Sequence, residues 1–219
     1  QVDGGWCWQL SPLKRIMDRY WTQGMNISEV GNAIYVGEVI DAKKEYGGKR
    51  YVRYKRKLAL KYDDNFPKEL RSKHVSMAYI ITIDDEIYKI GQSSAEDGIN
   101  GCMNFYMGAG QDDPGQNRFA INYLMREQRN LGKTIKIYFI YMDQIYVEAP
   151  GLNGTEKVLT PVSAKAIEQL CLRQYKASEN KYPVWNFQEK GEPIPQHISE
   201  AFADYKTKRS KKGWQIFQP

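Results

Sequence analysis

The sequence predicts a mixed α/β (α+β) fold, a small sheet with helices packed on it, and three observations lead there. Met77-Ala78-Tyr79-Ile80-Ile81 and Ile87-Tyr88-Lys89-Ile90-Gly91 are short β-prone runs on either side of Asp84-Asp85-Glu86, the pattern of a hairpin. Residues 134–142 form a second strongly β-prone stretch. Two helical stretches flank that strand in the chain. Residues 117–131 end at Gly132, a helix stop, and residues 164–178, which carry Glu168, follow Ser163 as a plausible cap. The order is hairpin, helix, strand, helix around a small central sheet of three strands.

Other elements lie outside this block. Ser11-Pro12 followed by Leu13, Ile16, Met17 and Tyr20 reads as a capped amphipathic helix. Residues 28–33 read as a second short helix, and Gly24 between the two leaves a helix-turn-helix open beside plain packing on the sheet. Residues 34–40 and 50–62 are β-prone around a Gly47-Gly48 turn. Beyond the segment around Gly108, Gly110 and Gly115, residues 151–154 read as a loop, and a last helix near 199–206 runs into a basic tail at 206–212. The expected organisation is an N-terminal elaboration (1–75), a core (76–190) and a C-terminal helix with its tail (191–219).

Composition narrows the function. The net charge is +6, and residues 41–75 hold 12 Lys/Arg against 5 Asp/Glu, so the basic excess sits in one stripe. Alternation in that stripe sends Arg53, Lys55 and Lys57 to one face, with Val52, Tyr54 and Leu58 on the other. A local ribbon of this kind suits a polyanion, with Arg50, Arg53, Lys55, Arg56, Lys57 and Lys61 as candidate phosphate contacts. Its bland counterpart is an edge strand guarded by lysines. The three cysteines, Cys7, Cys102 and Cys171, have no metal-site spacing. With only His74 and His197 present, histidine chemistry is a poor starting point. No Gly-Lys-Ser/Thr follows the glycines, which excludes a P-loop and a nucleotide cofactor. No apolar run approaches membrane-spanning length and no leader is visible, so the expectation is a soluble cytoplasmic protein with no membrane partner.

The hairpin carries chemistry. It brings the Tyr79 phenol near the Lys89 amine, and Gly91 with the backbone of Gln92 and Ser93 offers close approach to a phosphate. Phosphodiester hydrolysis must activate water, neutralise the pentavalent phosphate and stabilise the leaving oxygen. A divalent cation on one carboxylate can supply charge and orientation. A phenol is a weak base unless a cation favours its phenolate, a role open to Lys89.

Residues 76 to about 188 resemble the GIY-YIG nucleases, a family with a compact sandwich around a three-stranded sheet. Tyr79 falls on the tyrosine of the first motif, with Met77-Ala78 in place of Gly-Ile. Lys89 falls on the tyrosine of the second, followed by the expected Ile90-Gly91; some restriction enzymes resembling this family share that departure. The resemblance implies that Glu168 is the metal ligand, Tyr79 the base and Lys89 its charge partner, with Asn186 and Tyr88 supporting the site. It also implies an arginine after the second motif, where this chain has Cys102. An engineered or natural loss of that arginine, or replacement by Arg118 or Arg126, would account for it, an engineered loss being favoured. Arg118 is also a candidate DNA contact. The expectation is a site-specific double-stranded DNA endonuclease of restriction type, using Mg²⁺ or Mn²⁺ in a bacterial or phage-infected cell and dimeric if its site is palindromic. The alternatives are a phage or mobile-element nicking or homing nuclease, and a non-catalytic DNA-binding protein that keeps the fold.

Overall fold

The computed structural model describes residues 24–42, 58–108, 114–143, 145–160 and 163–216. The expected first helix, the ribbon residues Arg50, Arg53, Lys55, Arg56 and Lys57, and Cys7 lie outside the described residues. Five strands form one antiparallel sheet: β1 (Ile34–Asp41), β2 (Leu58–Tyr62), β3 (Ser76–Ile83), β4 (Glu86–Ser93) and β5 (Ile135–Met142), in the order β2-β1-β5-β3-β4. The mixed α+β class matches the sequence reading. The sheet is wider than the three strands expected, because β1 pairs with the outer edge of β5 and β2 pairs with β1. Val36, Val39 and Leu58 are fully buried in the same core as β3 and β5, so covering that edge extends the core.

The β3–β4 hairpin closes through Asp84 and Asp85, at φ 48° and 69°. Two consecutive positive φ angles make the primed turn that suits the twist of paired strands, and aspartate tolerates this region better than most residues. The turn is tied to the next strand: the Asp84 carboxylate accepts from Thr134 N at 3.0 Å and from Lys133 Nζ at 2.6 Å.

All eight residues of β3 are buried. Strand alternation explains this, since each face of the sheet has its own core. Met77, Tyr79, Ile81 and Ile83 join the larger core, together with Ile99 and Met103 of α1 (Gly98–Met107) and Ile121 and Met125 of α2 (Gln116–Asn130). Ile80, with Ile87 and Ile90 of β4, packs on the other face against Leu172 and Tyr175 of α3 (Ala164–Glu179). Ser163 caps α3 as expected, accepting from Ala166 N. A short α4 (Phe187–Lys190) follows, then α5 (Gln196–Ile216), which packs on α2 and is longer than the sequence suggested.

Two other expectations change. Of residues 28–33 only Ser28 and Glu29 are helical, in a 3-10 turn, Ile27–Glu29, that has a capping box from Asn26 and packs Ile27 in the α3-side core. The loop expected at 151–154 is the tip of a second hairpin, β6 (Ile145–Gly151) and β7 (Gly154–Thr160). Its apolar residues are largely exposed, so no burial pattern marks it in the sequence. Among the described residues no helix is long and apolar enough to cross a membrane.

Candidate active-site cleft

The register of the hairpin sets the site. Tyr79 stands opposite Gly91, and Ile81 opposite Lys89, so Tyr79 and Lys89 are diagonal neighbours on one face of the pair. The Tyr79 ring takes the space above Gly91: a Cβ there would lie 2.2 Å from the phenol oxygen and 2.3 Å from the ring carbon that bears it. The structure thus shows a packing reason for the glycine. It makes room for the tyrosine.

β4 is an edge strand, and its outer edge is closed by the segment before α4. Trp185 N donates to Tyr88 O at 2.8 Å. Asn186 is fully buried and clasps Ile90 twice, donating from Nδ2 to its carbonyl at 2.8 Å and accepting its N–H at Oδ1 at 3.0 Å. One amide side chain thereby imitates a neighbouring strand, and it fixes the backbone between Lys89 and Gly91. Tyr88 supports the same edge with its ring edge-on to Trp185, centroids 5.4 Å apart.

A cleft of about 380 Å³ opens beside this edge, and Tyr79, Lys89, Gln92, Arg118 and Glu168 all line it. The fold therefore gathers side chains from β3, β4, α2 and α3 that lie up to 89 positions apart in the chain (Tyr79 to Glu168). Ser93 is not among the cleft-lining residues; its side chain bonds the Cys102 thiol and the Ala95 N–H. Lys61 is exposed on β2, at the far edge of the sheet from β4.

Cys102 does not line the cleft. It is 5% exposed in the α1-side core, and burial pushes its thiol up to about 12, against a hydrogen bond with Ser93. The guanidinium that lines the cleft is Arg118. It stacks over the Phe105 ring, 3.9 Å from the centroid, and its Nε donates to the Phe105 carbonyl. Arg126 points elsewhere, over Tyr123 at 5.9 Å.

Tyr106 and Glu189 are among the cleft residues not singled out in the sequence. Tyr106, on α1, forms a direct phenol-to-phenol hydrogen bond with Tyr79. It is one more aromatic in a helix, and nothing in its spacing reveals that contact. Glu189, on α4, does leave a trace: Asn186-x-x-Glu189 has the form of a capping box. The structure uses neither residue that way. Asn186 spends its side chain on Ile90, and Glu189 Oε2 is buried without a hydrogen-bond partner.

Burial governs the electrostatics. Tyr79, 2% exposed, is held well above the ordinary phenol value, first by desolvation and then by Tyr106. Tyr106 is pushed up to about 12 by burial, against its hydrogen bond with Tyr79. Lys89 is lowered by burial, which the carboxylates of Glu189 and Glu168 oppose. Glu168 is raised by burial, with Lys89 pulling it down and Glu189 pushing it up. The environment thus favours a neutral phenol over the phenolate expected of a tyrosine base.

Among the described residues no cluster of three or more His, Cys, Asp or Glu could hold a metal by itself. Glu168 and Glu189 nevertheless line one cleft. That donor set fits a hard divalent cation of the kind that takes one or two carboxylates and completes its shell with water and substrate phosphate.

No family model matches the chain, and no curated protein matches it. Among solved structures it is similar to a mutant of EndoII from bacteriophage T4, with 16% identity and a TM-score of 0.45 over 74% of this chain and 98% of that one. It is also similar to restriction endonuclease HPY188I in complex with product DNA, with 16% identity and a TM-score of 0.41 over 76% and 88%.

Proposed function

We propose that this chain is a divalent-metal-dependent DNA endonuclease of the GIY-YIG kind, hydrolysing phosphodiesters in double-stranded DNA at specific sites in the manner of restriction enzymes. The single observation that carries the reading is the cleft itself. Tyr79, Lys89 and Glu168, which the family resemblance selects from the sequence, line one concavity with Arg118. Each alone has a bland explanation, and their convergence does not.

The residues divide the work of hydrolysis. Arg118 presents a planar fork of donors suited to two phosphate oxygens, and the Phe105 ring holds that plane in place. Lys89 adds a second positive group on the edge strand. Glu168, with Glu189 beside it, would hold Mg²⁺ or Mn²⁺, which supplies charge neutralisation and orients the attacking water when bound. The backbone clasp of Asn186 on Ile90 keeps Lys89 in register with Tyr79. The basic ribbon at residues 50–61 and the gathered positive charge would hold the DNA backbone, and a palindromic site would require a two-fold dimer.

The test is digestion of plasmid DNA with Mg²⁺, Mn²⁺ or EDTA, with Glu168→Gln as control. Discrete fragments that require the metal and Glu168 are expected. Fragments from Glu168→Gln at the unmodified rate would remove Glu168 from the site. DNA binding with no cutting under any condition would favour a non-catalytic DNA-binding protein.

A further inference from the structure

We propose that the exposed flank of α3 beyond Glu168 seats the sugar-phosphate backbone of the DNA beside the cut, with Arg173 and Lys176 as its phosphate contacts. The proposal deepens the nuclease reading and rests on it.

The sequence of α3 carries the first observation. Lys165, Gln169, Arg173, Lys176 and the C-cap Asn180 recur at helical spacing, so they share one flank of the helix, and all are exposed. Every one of them carries N–H donors and none carries a carboxylate. A merely solvated helix face ordinarily alternates the two signs of charge. A row of donors alone is the chemistry that a polyanion selects. At a rise of about 1.5 Å per residue the row is about 22 Å long, the span of roughly six nucleotides of one strand.

Shape supplies the second observation. A concavity of about 600 Å³ follows the C-terminal part of this row, and Tyr182 and Glu189 complete its lining. Glu189 also lines the active-site cleft, so the two hollows meet at that residue. A strand whose scissile phosphate lies in the cleft thus has a path past Glu189 into the second hollow. Along the axis of α3, Arg173 and Lys176 lie about 7.5 Å and about 12 Å beyond Glu168, roughly two to four nucleotides from the cut.

The two cations are uncommitted. Lys73, Lys133, Lys136 and Lys190 are each paired with a carboxylate, whereas among the described residues neither Arg173 nor Lys176 has an ion-pair partner. Lys176 instead holds its Nζ over the Tyr182 ring, 4.7 Å from the centroid, which steadies the side chain and leaves its charge available. The one carboxylate lining this hollow is Glu189, and the cation proposed for the cleft would neutralise it.

Shortened substrates test this. A duplex carries a cut site mapped by plasmid digestion, and two others end just beyond the cut, one on each side. Arg173→Gln combined with Lys176→Gln removes both charges and keeps polar side chains. On the full duplex its KM should rise roughly 10–60-fold near 0.1 M salt, while kcat at saturating DNA holds, which also shows that the variant is folded. For binding in EDTA, the slope of log Kd against log salt should fall by about 1.8, about 0.9 for each lost phosphate contact. Removing one flank should raise the KM of the unmodified chain and erase its advantage over the variant; removing the other should leave that advantage intact. Equal KM and equal slope in the two proteins would overturn the seat, as would a loss confined to kcat or a difference that survives both truncations. A lost slope with no cutting by the unmodified chain would keep the seat and bring down the nuclease reading. Metal-dependent cutting with unchanged slope and KM would do the reverse.

Discussion

The ring of Tyr79 lies where a side chain on Gly91 would be. Their register pairs them directly across β3 and β4, and a Cβ on Gly91 would meet the phenol oxygen at 2.2 Å. The ring cannot retreat, because Tyr79 is packed against α1 and hydrogen-bonded to Tyr106. Gly91→Ala should therefore expel the phenol and cost about 1–3 kcal/mol, as overpacking does. The melting temperature and cleavage rate should both fall, and Gly91→Ala combined with Tyr79→Ala should melt closer to Tyr79→Ala alone. Additive losses in that double variant would mean the two residues are not coupled.

Asn186 is the next point of leverage. It is fully buried, and it satisfies both backbone groups of Ile90. In Asn186→Ala an edge-strand N–H and carbonyl lose their partners, each at roughly 1–3 kcal/mol if water cannot replace it. Chemical denaturation should show a loss of that order, and amide exchange at Ile90 should accelerate before exchange at Ile80, one strand inward. Unchanged protection at Ile90 would remove Asn186 from its clasping role.

The arginine question becomes concrete in the same terms. Cys102 is buried in the α1-side core and Arg118 lines the cleft. Cys102→Arg should therefore destabilise the chain by several kcal/mol, since it buries an unpaired charge, and should not raise cleavage. Arg118→Lys should keep the fold and lose roughly 10²–10³ in rate, the scale for one lost donor to a transition-state anion. A gain of cutting in Cys102→Arg would show that position 102, and not Arg118, governs the phosphate.

What the sequence revealed follows from range. The β3–β4 hairpin, α2 with its Gly132 stop and the Ser163 cap of α3 depend on near neighbours, and all are where the pattern put them. β1 and β2 were legible as strands, but the pairing of β1 with β5 spans about a hundred residues and leaves no local mark. β6 and β7 bury little, so alternation could not expose them. In the cleft, Tyr79, Lys89 and Glu168 were readable through their ordered spacing and the family they resemble. Tyr106 was not, because a phenol-to-phenol contact between a strand and a helix has no sequence signature. The desolvation that raises the Tyr79 phenol was not legible for a related reason: it depends on burial, which the fold alone decides.

Acid should loosen the hairpin first at its turn. Desolvation pushes the Asp84 carboxyl up, but hydrogen bonds from Lys133 and Thr134 outweigh it and hold it below the ordinary value. A depressed carboxyl contributes stability above its unfolded pKa, about 3.9, and loses it as pH falls through the folded value. The group is substantially exposed, so screening limits its ion pair to about 0–1 kcal/mol. Asp84→Asn should thus be less stable than the parent near pH 7, with the gap closing below about pH 4. A gap that stays constant down to pH 2 would mean that the turn conformation, and not the charge, is responsible.

On the proposed metal-dependent reading, the two carboxylates of the cleft should differ in their hold on the cation. Glu168 projects from α3, a long helix anchored on the sheet by Leu172 and Tyr175. Glu189 sits on a single turn of helix, with one oxygen buried and lacking a hydrogen-bond partner. An orphaned carboxylate oxygen is costly unless something completes it, and a cation shared with Glu168 would do so. Mn²⁺ titration followed by electron spin resonance, without DNA, should show one site of modest affinity. Glu168→Gln should weaken it by at least the roughly 10–100-fold typical of losing even an outer-shell partner. Glu189→Gln should weaken it less, since Glu189 sits on a single helical turn and water can take the place of one of its oxygens. Equal Mn²⁺ affinity in all three proteins would place the metal elsewhere, and a loss confined to Glu189→Gln would exchange the two roles.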